Sequence, residues 1–372
     1  MTATAAAPIR LGVVGAGWAA GLHLAGFRQV AGVELTAIAS RTRHRAEQRA
    51  GEFGISRVVD SVAELAGMVD LVSIASPPAA HRDQVMEVAA AGRHVLCDKP
   101  VALTAGEADQ MLAAVGSAGI TAAAGFIWRT DPALLRMRDL LAGGAIGSLV
   151  ELHSSCPLGV PTLPVTWMYD GAAGGGALAQ HGSHVIDRAR WLVGGEIVSV
   201  SGRLAYDLKE APAPREFHDV TEAFDWARRN HGAVTGPTGP VTADTGYEFA
   251  ARFDSGVRAR FWEAWHLPGV VDDEVVAYGD AGTLRWAGAS GLTLCRPGQP
   301  PERIEVPGAA ASGAATPREV GLRRWGELAT AVVAGIRTGE GGHPTLHDGR
   351  QVAAISDAVR RSHHSGTWED VR

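Results

Sequence analysis

The chain has 372 residues, enough for two domains with cores of their own at about 100–200 residues each. Apolar residues make up 46%, and 34 basic against 40 acidic side chains leave a formal net charge of -6. Charge this balanced gives no footprint for nucleic acid or an anionic membrane surface. Cys97, Cys156 and Cys295 are far apart and form no C-x-x-C pair, which excludes a disulfide framework and a zinc knuckle and fits a reducing, cytoplasmic setting. Met1 to Pro8 has no basic region followed by a long apolar run, so no secretory signal is expected there. No stretch reaches the ~18 uninterrupted apolar residues of a membrane helix.

Strand and helix patterns alternate over the first part of the chain, which predicts a parallel sheet covered on both faces. Ile9 to Val14 reads as a buried strand, Trp18 to Val30 as a helix, Val33 to Ala39 as a second strand and Arg43 to Phe53 as a helix closed by Gly54. Leu71 to Ala75 and His94 to Cys97 are further strands, with a helix over Gln84 to Ala91 between them. Thr104 and Glu107 form a capping box for a helix reaching about Gly116, and Thr121 to Gly125 reads as the sixth strand.

Beyond Arg129 the pattern changes. Asp131-Pro132 opens a helix to Leu141, Leu149 to Ser155 is a strand, and Pro157 to Gly176 is irregular. A helix is predicted from about Ala177 to Leu192, and alternating segments from Ile197 onward predict an open, largely antiparallel sheet. Asp207 to Asp244 reads as an insertion and Gly288 to Glu319 as a loose tract. Leu322 to Ile336 and Asp348 to Ser362 read as helices. The expected organisation is an α/β Rossmann domain over residues 1–125 and an α+β domain over 126–372, with the last helices free to pack back on the first domain.

Gly15-Ala16-Gly17-Trp18-Ala19-Ala20 follows the first strand and opens a helix. Gly15 permits a tight turn, and Gly17 lets backbone approach a pyrophosphate at a helix N-terminus that carries about half a positive charge. G-x-G-x-x-A alone is weak, but its strand–turn–helix–strand setting makes a dinucleotide site the expectation. A carboxylate at the end of the second strand would select NAD; Ser40-Arg41-Thr42-Arg43 stands there instead and favours the 2′-phosphate of NADP.

Leu11 to Trp18, His23, Ser76-Pro77-Pro78 with His81, Asp98-Lys99-Pro100, Gly174 to Leu178 and Gly182-Ser183-His184, taken in this order and spacing, resemble the Gfo/Idh/MocA oxidoreductases. The resemblance runs from about residue 9 to about 195. It implies a Rossmann domain, a second domain whose open sheet forms a homodimer or homotetramer interface, and redox chemistry on a sugar or cyclitol hydroxyl with NAD(P). Trp18, Ala19, Ser40, Arg41, Ser76, Pro77, His81, Asp98 and Lys99 are then cofactor-side candidates with Gly15 and Gly17.

Lys99 follows a buried strand at the carboxyl edge of the sheet, where ligands bind in doubly wound folds. Pro100 is a candidate for a cis bond that would aim the lysine into the cleft, and the ammonium would favour an alkoxide-like oxygen. The resemblance implies that role, with Asp98 where the family's glutamate stands. His184, whose unperturbed pKa is ~6.5, is the candidate proton carrier. It follows a glycine run expected to be a flexible loop. Lys99 and His184 are expected to converge beside the nicotinamide.

Family members usually carry an Asp four residues before this histidine; this chain has Gln180, followed by His181. Either Gln180 is a neutral orienter and ordinary redox chemistry persists, or His181 takes a catalytic role and the reaction differs, as in related NAD-dependent glycosidases. Phe126, Trp128, Arg129, Trp167, Tyr169 and Asp170 are substrate-side candidates, mixing aromatic faces with hydroxyl-binding groups. Trp262, Trp265 and His266 are placed at a sheet edge, in packing or an oligomer contact. His181, His184 and Asp187 offer no further metal ligand, so no metal is expected. His343, His347, His363 and His364 read as exposed polar residues. Three functions stay open: a sugar or cyclitol dehydrogenase or reductase, a redox-neutral glycoside hydrolase or lyase, and a non-enzymatic dinucleotide sensor or scaffold.

Overall fold

In the computed structural model the described residues are 7–159, 162–217, 220–230, 236–267, 273–288, 290–307, 317–339 and 344–372. The chain divides into two compact units, one of Met1–Ile127 with Arg318–Arg350 and the other of Trp128–Pro317 with Gln351–Arg372.

The first unit is built on a six-stranded sheet. Its strands are β1 (Ile9–Val14), β2 (Val33–Ala39), β3 (Arg57–Val59), β4 (Leu71–Ile74), β5 (His94–Cys97) and β6 (Ala122–Ala124). They pair in parallel in the order β3-β2-β1-β4-β5-β6. That is the Rossmann order, with its topological switch between β1 and β4. The helices between strands are α1 (Trp18–Phe27), α2 (Arg43–Phe53), α3 (Val62–Met68), α4 (His81–Ala90) and α5 (Ala105–Ala118). β4 and β5 are buried or nearly so, and β1 is buried except at Arg10, as strands covered on both faces are. Gly54 closes α2 in the left-handed conformation, and Thr104 accepts the Glu107 N–H as the capping box predicts.

The short β3 and α3 are absent from the sequence reading. Three residues of β3 carry no alternation to announce a strand, whereas α3 has its own signal: Ser61 accepts the Glu64 N–H at 3.1 Å.

In the second unit Asp131 caps α6 (Pro132–Ala142) by accepting the N–H groups of Ala133 and Leu134. After it come β7 (Leu149–Pro157), α7 (Ser183–Val193), β8 (Ile197–Ala205), β9 (Glu210–Pro212), α8 (Val220–Arg229), β10 (Thr238–Pro240), β11 (Gly246–Phe253), β12 (Arg258–Ala264), β13 (Glu274–Gly279), β14 (Thr283–Ala287), β15 (Gly291–Cys295) and β16 (Glu302–Ile304). Nine strands form one sheet in the order β16-β15-β14-β13-β7-β12-β11-β8-β17, where β17 is Glu369–Asp370. All pairs are antiparallel except β12 with β7.

The tract from Gly288 is not uniformly loose: β15 alternates half-buried and buried residues, a real strand hidden among Gly and Pro. Trp262 and Trp265 are not at a sheet edge, because β12 has neighbours on both sides. Trp262 points outward at 42% exposed, while Trp265, just past the strand, is buried. The segment read as an insertion carries β9 and β10, paired with each other, and α8.

Helix α9 (Pro317–Thr338) belongs to the first unit from Arg318 on, where Trp325, Leu328, Ala329, Val332 and Val333 join the core around β1 and α1. Helix α10 (Leu346–Ser365) begins in the first unit and continues into the second. His347 and His364 are exposed, but His363 is half-buried and its Nδ1 lies 3.3 Å from the Leu204 N–H; His343 lies outside the described residues. Among the described residues, no helix is long and apolar enough to cross a membrane.

Candidate functional site

In the first unit the cofactor-side candidates gather at the carboxyl ends of adjacent strands. Gly15 follows β1, Ser76 and Pro77 follow β4, and Lys99 follows β5. Gly15 sits at φ +112°, and a Cβ there would lie 2.6 Å from the Ala75 carbonyl oxygen. Only glycine turns this closely against the neighbouring strand. Helix α1 starts at Gly17 with no side-chain cap and no acid in its first turn. Its first N–H groups therefore have no partner of their own to displace, which is what a pyrophosphate needs. The Arg49 guanidinium braces the turn from behind, donating to the Ala16 and Gly17 carbonyls at 3.3 Å each. These residues fit a dinucleotide: the turn supplies N–H groups and the helix end supplies positive potential. Trp18 is exposed and Ala19 half-buried beside it.

Ser40 and Arg41 behave differently from Arg43. Ser40 Oγ accepts the Thr42 N–H at 3.3 Å, and Arg41 is exposed. Arg43 is committed to Glu47 at 3.1 Å and Asp60 at 2.5 Å.

A buried network sets Asp98 and Lys99. His23 is fully buried; its Nδ1 lies 2.8 Å from Ser73 Oγ and its Nε2 3.4 Å from Asp98 Oδ2. The Trp325 indole packs on the His23 ring at 3.7 Å. Asp98 Oδ1 accepts the Lys99 N–H at 2.8 Å. Burial alone would raise the Asp98 carboxyl, but the neighbouring His23 ring, then the Lys99 ammonium and backbone N–H, hold it below the usual carboxylate range. The Lys99–Pro100 peptide is cis.

His81 ties the loops on either side of this edge, with Nδ1 2.9 Å from the Pro100 carbonyl and Nε2 2.9 Å from that of Ser76. Burial pushes its pKa down, so near neutral pH the ring carries one proton and donates to one carbonyl at a time. Its enclosed ring acts through the two loops and presents no surface of its own. Ser76 Oγ donates to Gln84 at 2.6 Å, and Phe126 is fully buried, so its ring packs rather than presents.

In the second unit the candidates gather where α7 meets the sheet. The chain enters α7 through one π turn, Leu178–Gly182, a local irregularity often found at functional sites. The glycines before it serve close packing, not flexibility. A Cβ on Gly175 would lie 2.4 Å from the Met168 carbonyl oxygen, and Gly176, at φ +103°, backs onto Asp244. Asp244 Oδ2 accepts the Leu178 N–H at 2.8 Å, and burial raises this carboxyl to about 6. Gln180 donates its amide N–H to the Gly174 carbonyl at 2.6 Å, pinning the glycine run to the π turn.

His184, 8% exposed, stacks on Trp128 at 5.1 Å and 6° between planes. His181 meets the same indole edge-on at 5.0 Å. His181 Nδ1 lies 3.1 Å from Glu263 Oε2 and its Nε2 3.9 Å from Cys156 Sγ. Cys156, His181 and Asp273 form a compact grouping of ligand atoms within 4.8 Å of one another. Asp273 is already held by the buried Arg188 guanidinium at 2.7 and 2.9 Å, and that charge opposes a cation there. Arg188 also donates to Ser154 Oγ at 2.7 Å and lies over Trp128 at 4.3 Å.

Other substrate-side candidates are already engaged. Arg129 donates twice to the buried Asp187, at 2.9 and 2.5 Å. Tyr169 is enclosed; its hydroxyl accepts the Leu163 N–H, and burial raises it to about 12. Asp170 is exposed and caps a turn through the Ala172 N–H, and Trp167 is half-buried. Glu263, Asp244 and Arg49 were not among the sequence candidates. Glu263 had a signal: it shares the inward face of β12 with Ala259 and Phe261, where an acid is out of place.

Residues 9–126 match the family model described as oxidoreductase family, NAD-binding Rossmann fold, and residues 134–285 match the GFO/IDH/MocA C-terminal domain. Levoglucosan dehydrogenase of Pseudarthrobacter phenanthrenivorans is 30% identical over 228 residues, which span 59% of this chain but only 56% of that protein. 1,5-Anhydro-D-fructose reductase of Ensifer adhaerens is 29% identical over 259 residues, 69% of each chain. Among solved structures, an oxidoreductase domain protein from Kribbella flavida superposes with a TM-score of 0.84 at 26% identity, covering 98% of this chain and 99% of that one. A levoglucosan dehydrogenase in complex with NADH and L-sorbose shares the fold, with a TM-score of 0.82 at 23% identity and coverage of 98% and 99%. Both domains carry the family's signature over most of the described fold, and the chain belongs to the Gfo/Idh/MocA family of NAD-binding oxidoreductases.

Proposed function

We propose that this protein is an NAD(P)-dependent dehydrogenase or reductase that moves a hydride between nicotinamide and a hydroxyl-bearing carbon of a sugar, cyclitol or related polyol. The observation that carries the reading is the alignment of Gly15, Ser76-Pro77 and Lys99 at the carboxyl ends of β1, β4 and β5, adjacent strands of one parallel sheet. A dinucleotide laid on the Gly15 turn extends along this edge, toward Lys99. When bound, the nicotinamide supplies the hydride acceptor or donor.

In this reading the Lys99 ammonium polarises the substrate oxygen, and His184 takes or returns the hydroxyl proton. Asp98, held ionised by His23, fixes the backbone N–H of Lys99. Trp128 holds the plane of the His184 ring by stacking on it. Among the named relatives, levoglucosan and 1,5-anhydro-D-fructose are both ring sugars, which supports a polyol as substrate. Ser40 and the exposed Arg41 favour NADP over NAD. Arg258, Arg260 and Trp262 of β12 and Tyr278 of β13, the two strands that flank β7, lie on the outward face of the sheet, the surface we assign to a second copy of this chain. Three free thiols fit a cytoplasmic location.

The test is a panel of sugars, cyclitols, anhydrosugars and glycosides, run with NAD and with NADP, following reduced nicotinamide. At least one polyol is oxidised, and His184→Ala and Lys99→Ala each lose 100-fold or more in kcat. A glycoside cleaved with no net change in reduced nicotinamide would move the protein to the redox-neutral class that the replacement of Asp by Gln180 leaves open. Cofactor binding without turnover of any compound would make it a sensor or scaffold.

A further inference from the structure

The buried carboxylate that this chain places beside a histidine of the site is Glu263, and its partner is His181. Glu263 is 1% exposed on an interior strand of the nine-stranded sheet. Oε1 accepts the Trp265 indole N–H at 2.7 Å, which fixes the carboxylate plane, and Oε2 faces His181 Nδ1 at 3.1 Å. An ionised carboxylate offers only lone pairs, so the shared proton sits on Nδ1. With its one proton on Nδ1, the ring presents Nε2 as a lone pair. On that side the Cys156 thiol lies at 3.9 Å, a weak donor at long range. The ring keeps 20% of its side-chain surface open, whereas Glu263 keeps none.

The surroundings say what would be bound. His181 and His184 share the Trp128 indole, so both belong to one wall. Among the described residues, the charged and titratable groups around His181 include Glu263 and Cys156 on the sheet, Asp273 paired with Arg188, His184 on the shared Trp128 indole, and Tyr247, which faces Glu263. An imidazole nitrogen acceptor backed by a buried carboxyl group suits an O–H donor and disfavours a carboxylate or phosphate.

We propose that Glu263 is a positioning residue that holds His181 in the Nδ1–H tautomer, and that His181 Nε2 accepts a hydrogen bond from a substrate hydroxyl distinct from the reacting one. The inference rests on the polyol reading above. It makes the Glu263–His181 pair a selectivity device for neutral polyols over acidic or phosphorylated ones.

Two measurements test it. In protein labelled with ¹⁵N-histidine, His181 shows a protonated Nδ1 and an unprotonated Nε2. Glu263→Gln, whose amide both donates and accepts, mixes the tautomers. An Nε2–H tautomer in the wild type, or no change in Glu263→Gln, overturns the positioning role. In kinetics, the best polyol is compared with each of its monodeoxy analogues. The wild type discriminates against one non-reacting-position analogue by tenfold or more, the scale of one buried unpaired acceptor. His181→Phe, or His181→Asn if Phe does not fold, raises KM with little change in kcat and brings that one ratio toward unity, while Glu263→Gln lowers it part of the way. Unchanged selectivity in the His181 variants overturns the hydroxyl role while leaving the oxidoreductase reading intact. If the wild type turns over no polyol with either cofactor, the oxidoreductase reading itself fails and takes this inference with it.

Discussion

Asp244 and Leu178, sixty-six positions apart, are joined by a hydrogen bond of 2.8 Å from the Leu178 backbone N–H to the Asp244 carboxylate. Through it a strand-preceding loop of the second unit holds the π turn that carries Gln180 and His181. Burial raises this carboxyl from 3.8 to about 6, against the Leu178 bond and the Arg360 charge, which pull the other way. The folded state therefore binds the proton more tightly than the unfolded chain. The native state is favoured by this group below about pH 4, loses that advantage as pH rises toward 6, and is flat above. The shift corresponds to at most about 3 kcal/mol. Asp244→Asn keeps an acceptor for Leu178 without the buried charge. Its Tm relative to wild type should climb between pH 4 and 7 in thermal melts; a difference independent of pH would refute the assignment.

Arg129 was a substrate candidate by residue type, yet it is spent on Asp187. The pair is buried, with Arg129 11% and Asp187 1% exposed, and Arg190 stands at 3.9 Å. Arg129→Ala leaves a buried carboxylate short of its main partner and should cost about 3–5 kcal/mol in urea unfolding. Adding Asp187→Ala should recover part of that loss, because the two changes are not additive for residues in contact. Full additivity would show that the pair is not coupled.

Gly15→Ala meets both the +112° backbone angle and the Ala75 carbonyl at 2.6 Å. We expect a drop in stability of about 1–3 kcal/mol and a rise of at least tenfold in the dinucleotide Kd by titration calorimetry. Unaltered affinity would show that the cofactor phosphates do not use this turn.

The proposed preference for NADP rests on Arg41, since Arg43 is paired with Glu47 and Asp60. Removing one charge-assisted contact to a 2′-phosphate costs about 1.5–3 kcal/mol. Arg41→Ala should therefore raise KM for NADP by tenfold or more and leave KM for NAD within twofold. Equal effects on both cofactors would remove Arg41 from the 2′-phosphate site.

The first unit was largely legible because its signals are local. A glycine turn, buried apolar strands and helix caps act within a few residues, and so do β1, α1 and the Thr104 box. The short β3 went unread because three residues cannot show a period, although Ser61 and Glu64 did mark α3. The site in the second unit was only half legible. His181, His184 and Gln180 stand together in sequence, but what each one touches is set by strands far away: Glu263 lies 82 positions from His181 and Asp273 lies 85 from Arg188. Arg129 and Tyr169 had the right chemistry for a sugar and were consumed by structural bonds, which no residue-type argument foresees.

The proposed reaction is net hydride transfer between a polyol carbon and nicotinamide. It is met most directly by a single turnover of a polyol carrying deuterium at the reacting carbon, with stoichiometric oxidised cofactor. Reduced nicotinamide is expected to accumulate with the deuterium at C4, and His184→Ala to abolish both. Product formed with no accumulated reduced cofactor, or reduced cofactor without the label, would contradict it.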